Sequence, residues 1–242
     1  MRSVSAKHGV LAFGDSITNG GGELQSGVAL QSWALWTARA LGLPFTSYAV
    51  DGARAADVVH EQIPSFRRLA ADRDGRYDVG CLYVGVNDVR SADWNPGQYE
   101  RLLRGALLLV TARCDRTLVA TAPSDLGRPR AGAKVDEMNA AVRRSAAEHG
   151  ALVLDLTDFG ARNRVMADHV HPTAFGQVEI AERALDVLAG DGLEARIRPS
   201  QLIRYETTAY DRLRNDATYT YRHAKVSARS LWRSLRSGPR VP

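Results

Sequence analysis

Ser16 stands in the stretch VLAFGDSITNGGG, Val10 to Gly22, where an apolar run breaks off into Gly-Asp-Ser. A serine hydroxyl is a weak nucleophile at neutral pH and needs a base beside it. The Gly-x-Ser-x-Gly pattern of a nucleophile on a sharp strand-to-helix turn is absent, so partners must come from elsewhere in the chain. One source is ADHVHPTAFGQ, Ala167 to Gln177. There Asp168 and His171 are three residues apart, and a single tight turn sets carboxylate beside imidazole. Such a pair fixes the ring tautomer and supports the imidazolium formed when the ring takes a proton. Each piece alone has a plainer reading. Ser16 suits a turn or a helix N-cap, Asp168 suits a turn cap, and His171 suits packing beside Pro172. His169-Val170-His171 is also a His-x-His pair of the kind that binds zinc, but no Cys or Glu cluster is placed to complete such a site.

Acyl transfer also develops negative charge on a carbonyl oxygen, and preorganised donors there contribute strongly. Gly52, in AVDGAR, exposes a backbone N–H with no Cβ in the way. Asn87, in GVND, offers a neutral amide. Both also suit ordinary turns. What unites Ser16, Gly52, Asn87 and His171 is their place in the pattern of elements. Short apolar runs, Gly9–Phe13, Phe45–Val50, Asp78–Val86, Arg116–Ala122 and Ala151–Leu156, read as buried strands. Helical periodicity marks Ser26–Leu41, Ala53–Ala70 (interrupted or restarted at Pro64), Pro96–Arg113, Gly132–His149 and Thr173–Ala189. This alternation predicts a five-stranded parallel sheet between helices, with every strand C-terminus on one edge, where ligands of such sheets gather. The four residues lie at that edge.

The ordered set resembles the SGNH hydrolases, also called the GDSL esterase/lipase family. Its blocks are GDSIT (Gly14–Thr18), Gly52, GVND (Gly85–Asp88) and DHVHP (Asp168–Pro172), and the resemblance spans roughly residues 9–190. In the second block Val50 stands where the family usually has Asn. The resemblance implies a flavodoxin-like three-layer α/β/α sandwich and hydrolysis of a carboxylic ester through an acyl-enzyme. Carried over residue by residue, Ser16 is the nucleophile, His171 the general base and Asp168 the residue orienting it. The Ser16 N–H, the Gly52 N–H and the Asn87 side chain form the oxyanion hole. No metal and no organic cofactor is implied. A small or medium acyl group is expected, with O-acetyl on a carbohydrate or metabolite favoured over lipid. The rival readings are a lysophospholipase or thioesterase brought to membranes by the tail, and a non-catalytic interaction module. Gly20–Gly22 lacks the spacing of a phosphate loop and reads as a flexible rim, and Trp94 reads as either a pocket wall or a surface aromatic.

Composition bounds the rest. The 242 residues, 45% of them apolar, suit one globular domain with an appendage, or two small domains. The division expected is a catalytic domain over residues 1–195 and a basic helical extension over 196–242. Cys81 and Cys114 are too few for a disulfide framework and read as packed thiols. No stretch reaches the roughly 20 apolar residues of a membrane span. The apolar segment near Met1 is too short for a signal-peptide core, so a cytoplasmic protein is expected, with a secreted form cut from a longer precursor as the alternative. Residues 201–242 carry nine Lys and Arg against three Asp and Glu, while residues 1–200 are close to neutral. Tyr221–Arg236 reads as a basic amphipathic helix. Ala224, Ala228, Leu231, Trp232 and Leu235 share one face, and Arg222, Lys225, Arg229, Arg233 and Arg236 share another. Docking on its own domain or a second subunit is the first expectation for it, and an anionic membrane surface the second; nucleic acid is not expected. With QLIRYETTAYDRL upstream it suggests a helical hairpin.

Overall fold

The apolar runs become the strands of one parallel sheet. The computed structural model describes residues 6–25, 28–70, 75–161, 163–203 and 208–236. Strands β1 (Val10–Gly14), β2 (Phe45–Ser47), β3 (Gly75–Tyr83), β4 (Cys114–Ala120) and β5 (Leu152–Leu154) lie in the order β2-β1-β3-β4-β5. All their pairings are parallel. A two-residue strand, Ala6–Lys7, also pairs with Gly75–Arg76 at the start of β3, an addition to the five expected. Val10, Leu11, Ala12 and Phe13 are all fully buried. Both faces of the inner strands are covered, which is why their sequence is continuously apolar rather than alternating.

The covering helices are α1 (Ser16–Asn19), α2 (Trp33–Leu41), α3 (Ala55–Asp57), α4 (Ile63–Leu69), α5 (Val86–Val89), α6 (Pro96–Arg113), α7 (Lys134–His149) and α8 (Ala174–Gly190). Helix α2 packs against α8, and α6 against α7, giving the expected three layers. Several bounds differ from the sequence reading. Helix α2 starts seven residues later than periodicity suggested, because Ser32 accepts the Leu35 N–H at 3.1 Å and caps it there. Strand β2 stops at Ser47 rather than Val50. Cys81 and Cys114 are both buried free thiols, and burial pushes Cys114 up to about 12.

From β1 the chain turns to β2 on one side, and from β3 to β4 on the other. A crevice therefore opens at the C-terminal ends of β1 and β3, the topological switch point of such sheets. Beyond the last β1–β2 pair, Ala12 with Ser47, Gly14 has no strand neighbour on that side. A buried amide replaces it. Gln62 Oε1 accepts the Gly14 N–H at 3.0 Å, and Gln62 Nε2 donates to the Gly14 carbonyl at 2.8 Å. Gln62 ends a π-helical turn, Val58–Gln62, that joins α3 to α4. The turn widens just ahead of Pro64, whose missing N–H cannot continue the α-helical ladder. At the end of β4 the pattern recurs. Asn139 of α7 accepts the Ala122 N–H and donates to its carbonyl, both at 2.8 Å.

After α8 the chain stays packed on the body through Pro199–Leu202, a 3-10 turn, to Ile203. The expected hairpin is replaced by a single 28-residue helix, α9 (Ala209–Arg236). No helix among the described residues is long and apolar enough to cross a membrane.

Replacing Gln62 by Leu keeps the volume but orphans the Gly14 N–H, whereas the Gly14 carbonyl still accepts Val50 N–H at 3.1 Å. Leaving one buried backbone donor unpaired costs about 1–3 kcal/mol. Urea unfolding of Gln62→Leu should show that loss; unchanged stability would mean that Gly14 finds another partner.

Candidate active site

Asp15, not Ser16, caps the first helix. Its Oδ1 accepts the Ile17 N–H at 3.0 Å, so Ser16 becomes the first helical residue and its hydroxyl has no capping duty. Ser16 Oγ instead lies 2.9 Å from His171 Nε2. His171 Nδ1 lies 2.7 Å from Asp168 Oδ2, while Asp168 Oδ1 accepts the N–H groups of Val170 at 2.9 Å and His171 at 3.1 Å. A proton on Nδ1 satisfies Asp168 and leaves Nε2 facing the serine hydroxyl as an acceptor. Burial opposes ionisation of Asp168, but the His171 ring and the two backbone donors outweigh it and hold the carboxyl below its usual range. The hydrogen bond that His171 donates to Asp168 in turn raises the imidazole above the ordinary histidine value, against the opposing effect of burial.

The two ends of the domain are joined here by backbone and by one glutamine. Glu23 pairs with Thr173 as an isolated parallel bridge, and the Ala174 N–H donates to the Glu23 carbonyl at 2.9 Å. Gly22 runs so close to the loop that a Cβ there would stand 2.3 Å from the Pro172 carbonyl oxygen. The glycine cluster is thus a packed seam beside His171, not the flexible rim expected. Gln177, fully buried on α8, donates to the carbonyls of Ile17 and Gly21, each at 3.0 Å, and accepts the Trp33 N–H at 2.8 Å. It ties α1, the glycine seam and α2 to the helix that follows His171.

Gly52 and Asn87 meet on the other side of the crevice. Gly52 has a φ of 79°, left-handed backbone that a side chain would strain. Among the described residues, its N–H and that of Ser16 have no protein acceptor. Asn87 Nδ2 donates to the Ala53 carbonyl at 3.0 Å, which binds the amide to the Gly52 turn and leaves its second N–H uncommitted. Asp88 accepts the Ala55 N–H at 3.2 Å and fixes the same turn from below; burial pushes its carboxyl up to about 6. Asn19 Nδ2 donates to Asp51 Oδ1 at 2.9 Å, linking α1 to that turn. Trp94 lines a pocket of about 80 Å³ with Arg54, Asp88 and Tyr99, and its Nε1 donates to Glu137 at 2.8 Å.

The sequence reading missed several residues that hold this arrangement. Gln62 and Gln177 are polar positions on otherwise apolar helix faces, the one signal that marked them. Asp15, fully buried and pushed up to about 7 by desolvation, sits against Ser16 with Oδ2 unpartnered. His169 adopts a positive φ of 54°, and its Nδ1 lies 3.2 Å from Asp125. Its ring is turned to Asp125 while that of His171 faces Ser16 and Asp168, so the two imidazoles serve different partners. Among the described residues, no group of three His, Cys, Asp or Glu side chains is placed to hold a metal ion. The His169 loop also carries the tail. His223 of α9 meets the His169 ring at 5.2 Å and hydrogen-bonds to the Val165 backbone. Asn163 donates to Asp216 at 3.3 Å, and Arg222 pairs with Glu23.

A GDSL-like Lipase/Acylhydrolase family model matches residues 12–178, a span that holds Ser16, Gly52, Asn87, Asp168 and His171. Among curated proteins no match is found. Among solved structures, a point variant of Axe2, an acetyl xylan esterase from Geobacillus stearothermophilus, is similar with a TM-score of 0.56 and 19% identity, covering 79% of this chain and 97% of that one. LAE5, an alpha/beta hydrolase enzyme from the metagenome of Lake Arreo, Spain, is similar with a TM-score of 0.58 and 20% identity, covering 76% and 96%. At these identities the likeness speaks for the fold, and the family model speaks for the class: the chain belongs to the GDSL-like lipase/acylhydrolase (SGNH) family and is a carboxylic ester hydrolase.

Proposed function

We propose that the chain hydrolyses a carboxylic ester with a small or medium acyl group, such as O-acetyl on a carbohydrate or metabolite, through an acyl-enzyme on Ser16. The observation that carries this reading is the hydrogen-bonded chain Ser16–His171–Asp168, with spacings of 2.9 and 2.7 Å. Ser16 Oγ attacks the ester carbonyl as its proton passes to His171 Nε2. The oxyanion accepts from the Ser16 and Gly52 N–H groups and from the Asn87 amide. Collapse expels the alcohol, which takes the proton from His171. Water then repeats the sequence on the acyl-enzyme and frees the acid. Asp168 stays ionised throughout and stabilises the imidazolium. An acetyl-sized group agrees with the acetyl xylan esterase among the similar structures.

A p-nitrophenyl ester series tests the class and the acyl length together. Activity should be highest on acetate or butyrate, and Ser16→Ala should lower kcat by roughly 10⁴-fold or more. Turnover that rises through long chains supports the lysophospholipase or thioesterase reading instead. Turnover that survives Ser16→Ala removes the nucleophile assignment, and a wild type inert on every ester supports the interaction module.

The acid limb of the pH profile tests Asp168. His171 acts as base only when neutral, and its raised pKa means that this form is lost as pH falls through a midpoint above that of an ordinary histidine. Asp168→Asn should move the midpoint down and lower kcat by roughly 10²–10⁴-fold. A midpoint that does not move would separate Asp168 from the base.

A second reading concerns α9. It docks on the body through Asp216, Arg222 and His223, whereas Tyr210, Leu213, Tyr221 and Trp232 are 65–71% exposed along its other side. Ala217, Ala224 and Ala228 continue that exposed stripe, and Arg214, Lys225 and Arg229, also exposed, flank it. An apolar stripe bordered by cations suits an anionic lipid surface. Vesicles containing phosphatidylserine should co-sediment the wild type but not Leu213→Glu/Trp232→Glu, whose substitutions lie away from the docking face. Equal behaviour of the two forms ends this reading.

A further inference from the structure

Beside Gly52 and Asn87 the crevice widens into an open cleft of about 560 Å³. Its walls carry Arg54, Arg90, Arg130 and Lys134, and among the described residues no carboxylate lines it. Two of these cations are engaged at the rim. Arg54 pairs with Asp93 at 3.3 Å, and Arg130 with Asp125 at 2.7 Å. Such exposed pairs are weak and exchange readily for another anion. The other two have no acidic partner among the described residues. Lys134 Nζ donates to the Ser91 carbonyl at 3.2 Å, and the Arg90 guanidinium makes no hydrogen bond or ion pair to the described residues. Residues 1–200 as a whole are close to neutral, so this cluster is a local concentration and not a reflection of overall charge.

Position gives the cluster meaning. Gly52 and Asn87 line the same cleft, so whatever occupies it lies next to the ester carbonyl placed by the proposed reaction. Arg90 is also near enough to act electrostatically on His171, which puts a cleft cation within range of the base. Guanidinium groups bind carboxylate and phosphate by paired, charge-assisted hydrogen bonds, and a flexible lysine adds a point charge. A cleft that focuses one sign of charge also draws oppositely charged substrates from solution. We infer that the ester hydrolysed by this chain carries an anionic group, a carboxylate or a phosphate, which Arg90 and Lys134 hold in this cleft. The inference rests on the esterase reading above and narrows it from any small acyl ester to one that also bears a carboxylate or phosphate group.

Matched esters that differ in charge test it. The neutral reference is methyl 4-acetoxybenzoate; 4-acetoxybenzoate and 4-acetoxyphenyl phosphate carry the anion on the alcohol side, and p-nitrophenyl hemisuccinate, set against p-nitrophenyl butyrate, carries it on the acyl side. The wild type should favour at least one anionic ester over its neutral counterpart by tenfold or more in kcat/KM. The preference should shrink as salt is raised from low to physiological strength. The phosphate and carboxylate arms tell which anion the cleft takes. Arg90→Ala/Lys134→Ala should lower the anionic-to-neutral ratio at least tenfold, and Arg90→Glu should invert it. A wild type that turns over neutral and anionic esters alike overturns the inference while leaving the esterase reading intact, as does a double variant with an unchanged ratio. Should no ester be turned over, the esterase reading falls. Calorimetric titration with 4-hydroxybenzoate and phenyl phosphate then reads the cleft directly: binding lost in Arg90→Ala/Lys134→Ala supports it, and no binding overturns it.

Discussion

The 2.9 Å contact between Ser16 and His171 joins residues 155 positions apart, one just past the first strand and the other just before the last helix of the sheet domain. Neither a serine nor a histidine supplies the energy to hold that contact alone, because a single side-chain hydrogen bond contributes only about 1 kcal/mol. Its precision comes from what is fastened around it. Asp15 shapes α1 so that the Ser16 hydroxyl is free, Gln177 ties α1 to α8, and the bridge from Glu23 to Thr173 sets the loop beside the glycine seam. Most of these groups are buried, so each must be satisfied where it stands, and the geometry has little room to drift.

Buried amides recur as the means of finishing strands. Gln62 completes Gly14 and Asn139 completes Ala122, each accepting an N–H and donating to the carbonyl of the same residue. A parallel sheet leaves its strand ends without neighbours just where the chain must turn into the loops that line the crevice. An amide side chain supplies both a donor and an acceptor without introducing charge near the crevice. The acidic groups beside the site are treated differently. Asp168 is held ionised by three donors, whereas Asp15 and Asp88 are pushed up by burial to about 7 and about 6. Of the three, Asp168, which faces the imidazole, holds its charge to the lowest pH.

The layered fold was legible because its cause is local and repeated. Continuous apolar runs between amphipathic ones leave few arrangements other than a covered parallel sheet, and helix α6 begins and ends where periodicity and Pro96 place it. The candidate site was legible because its blocks follow strand ends, which topology gathers on one edge. What could not be read depends on distant partners. Nothing near Gly20–Gly22 signals that Pro172 lies against it, since that contact exists only once both strand ends are in place. The start of α2 at Trp33 was obscured because periodicity continues upstream, while Ser32 and Gln177 take the first N–H groups. The tail was read correctly as helical and basic, but which face it presents to the body is decided by Asn163, His169 and Glu23, residues with no sequence relation to it. The cationic cleft escaped notice for the same reason: Arg54, Arg90, Arg130 and Lys134 come from separate loops and helix ends.

The proposed hydrolysis turns on a covalent intermediate at Ser16, and trapping that intermediate tests it most directly. Wild-type protein mixed with p-nitrophenyl acetate, quenched in acid within the first turnovers and digested, should yield one peptide bearing an acetyl group on Ser16, absent from Ser16→Ala. Hydrolysis at the wild-type rate in Ser16→Ala, or an acetyl group found on another residue and not on Ser16, would contradict it.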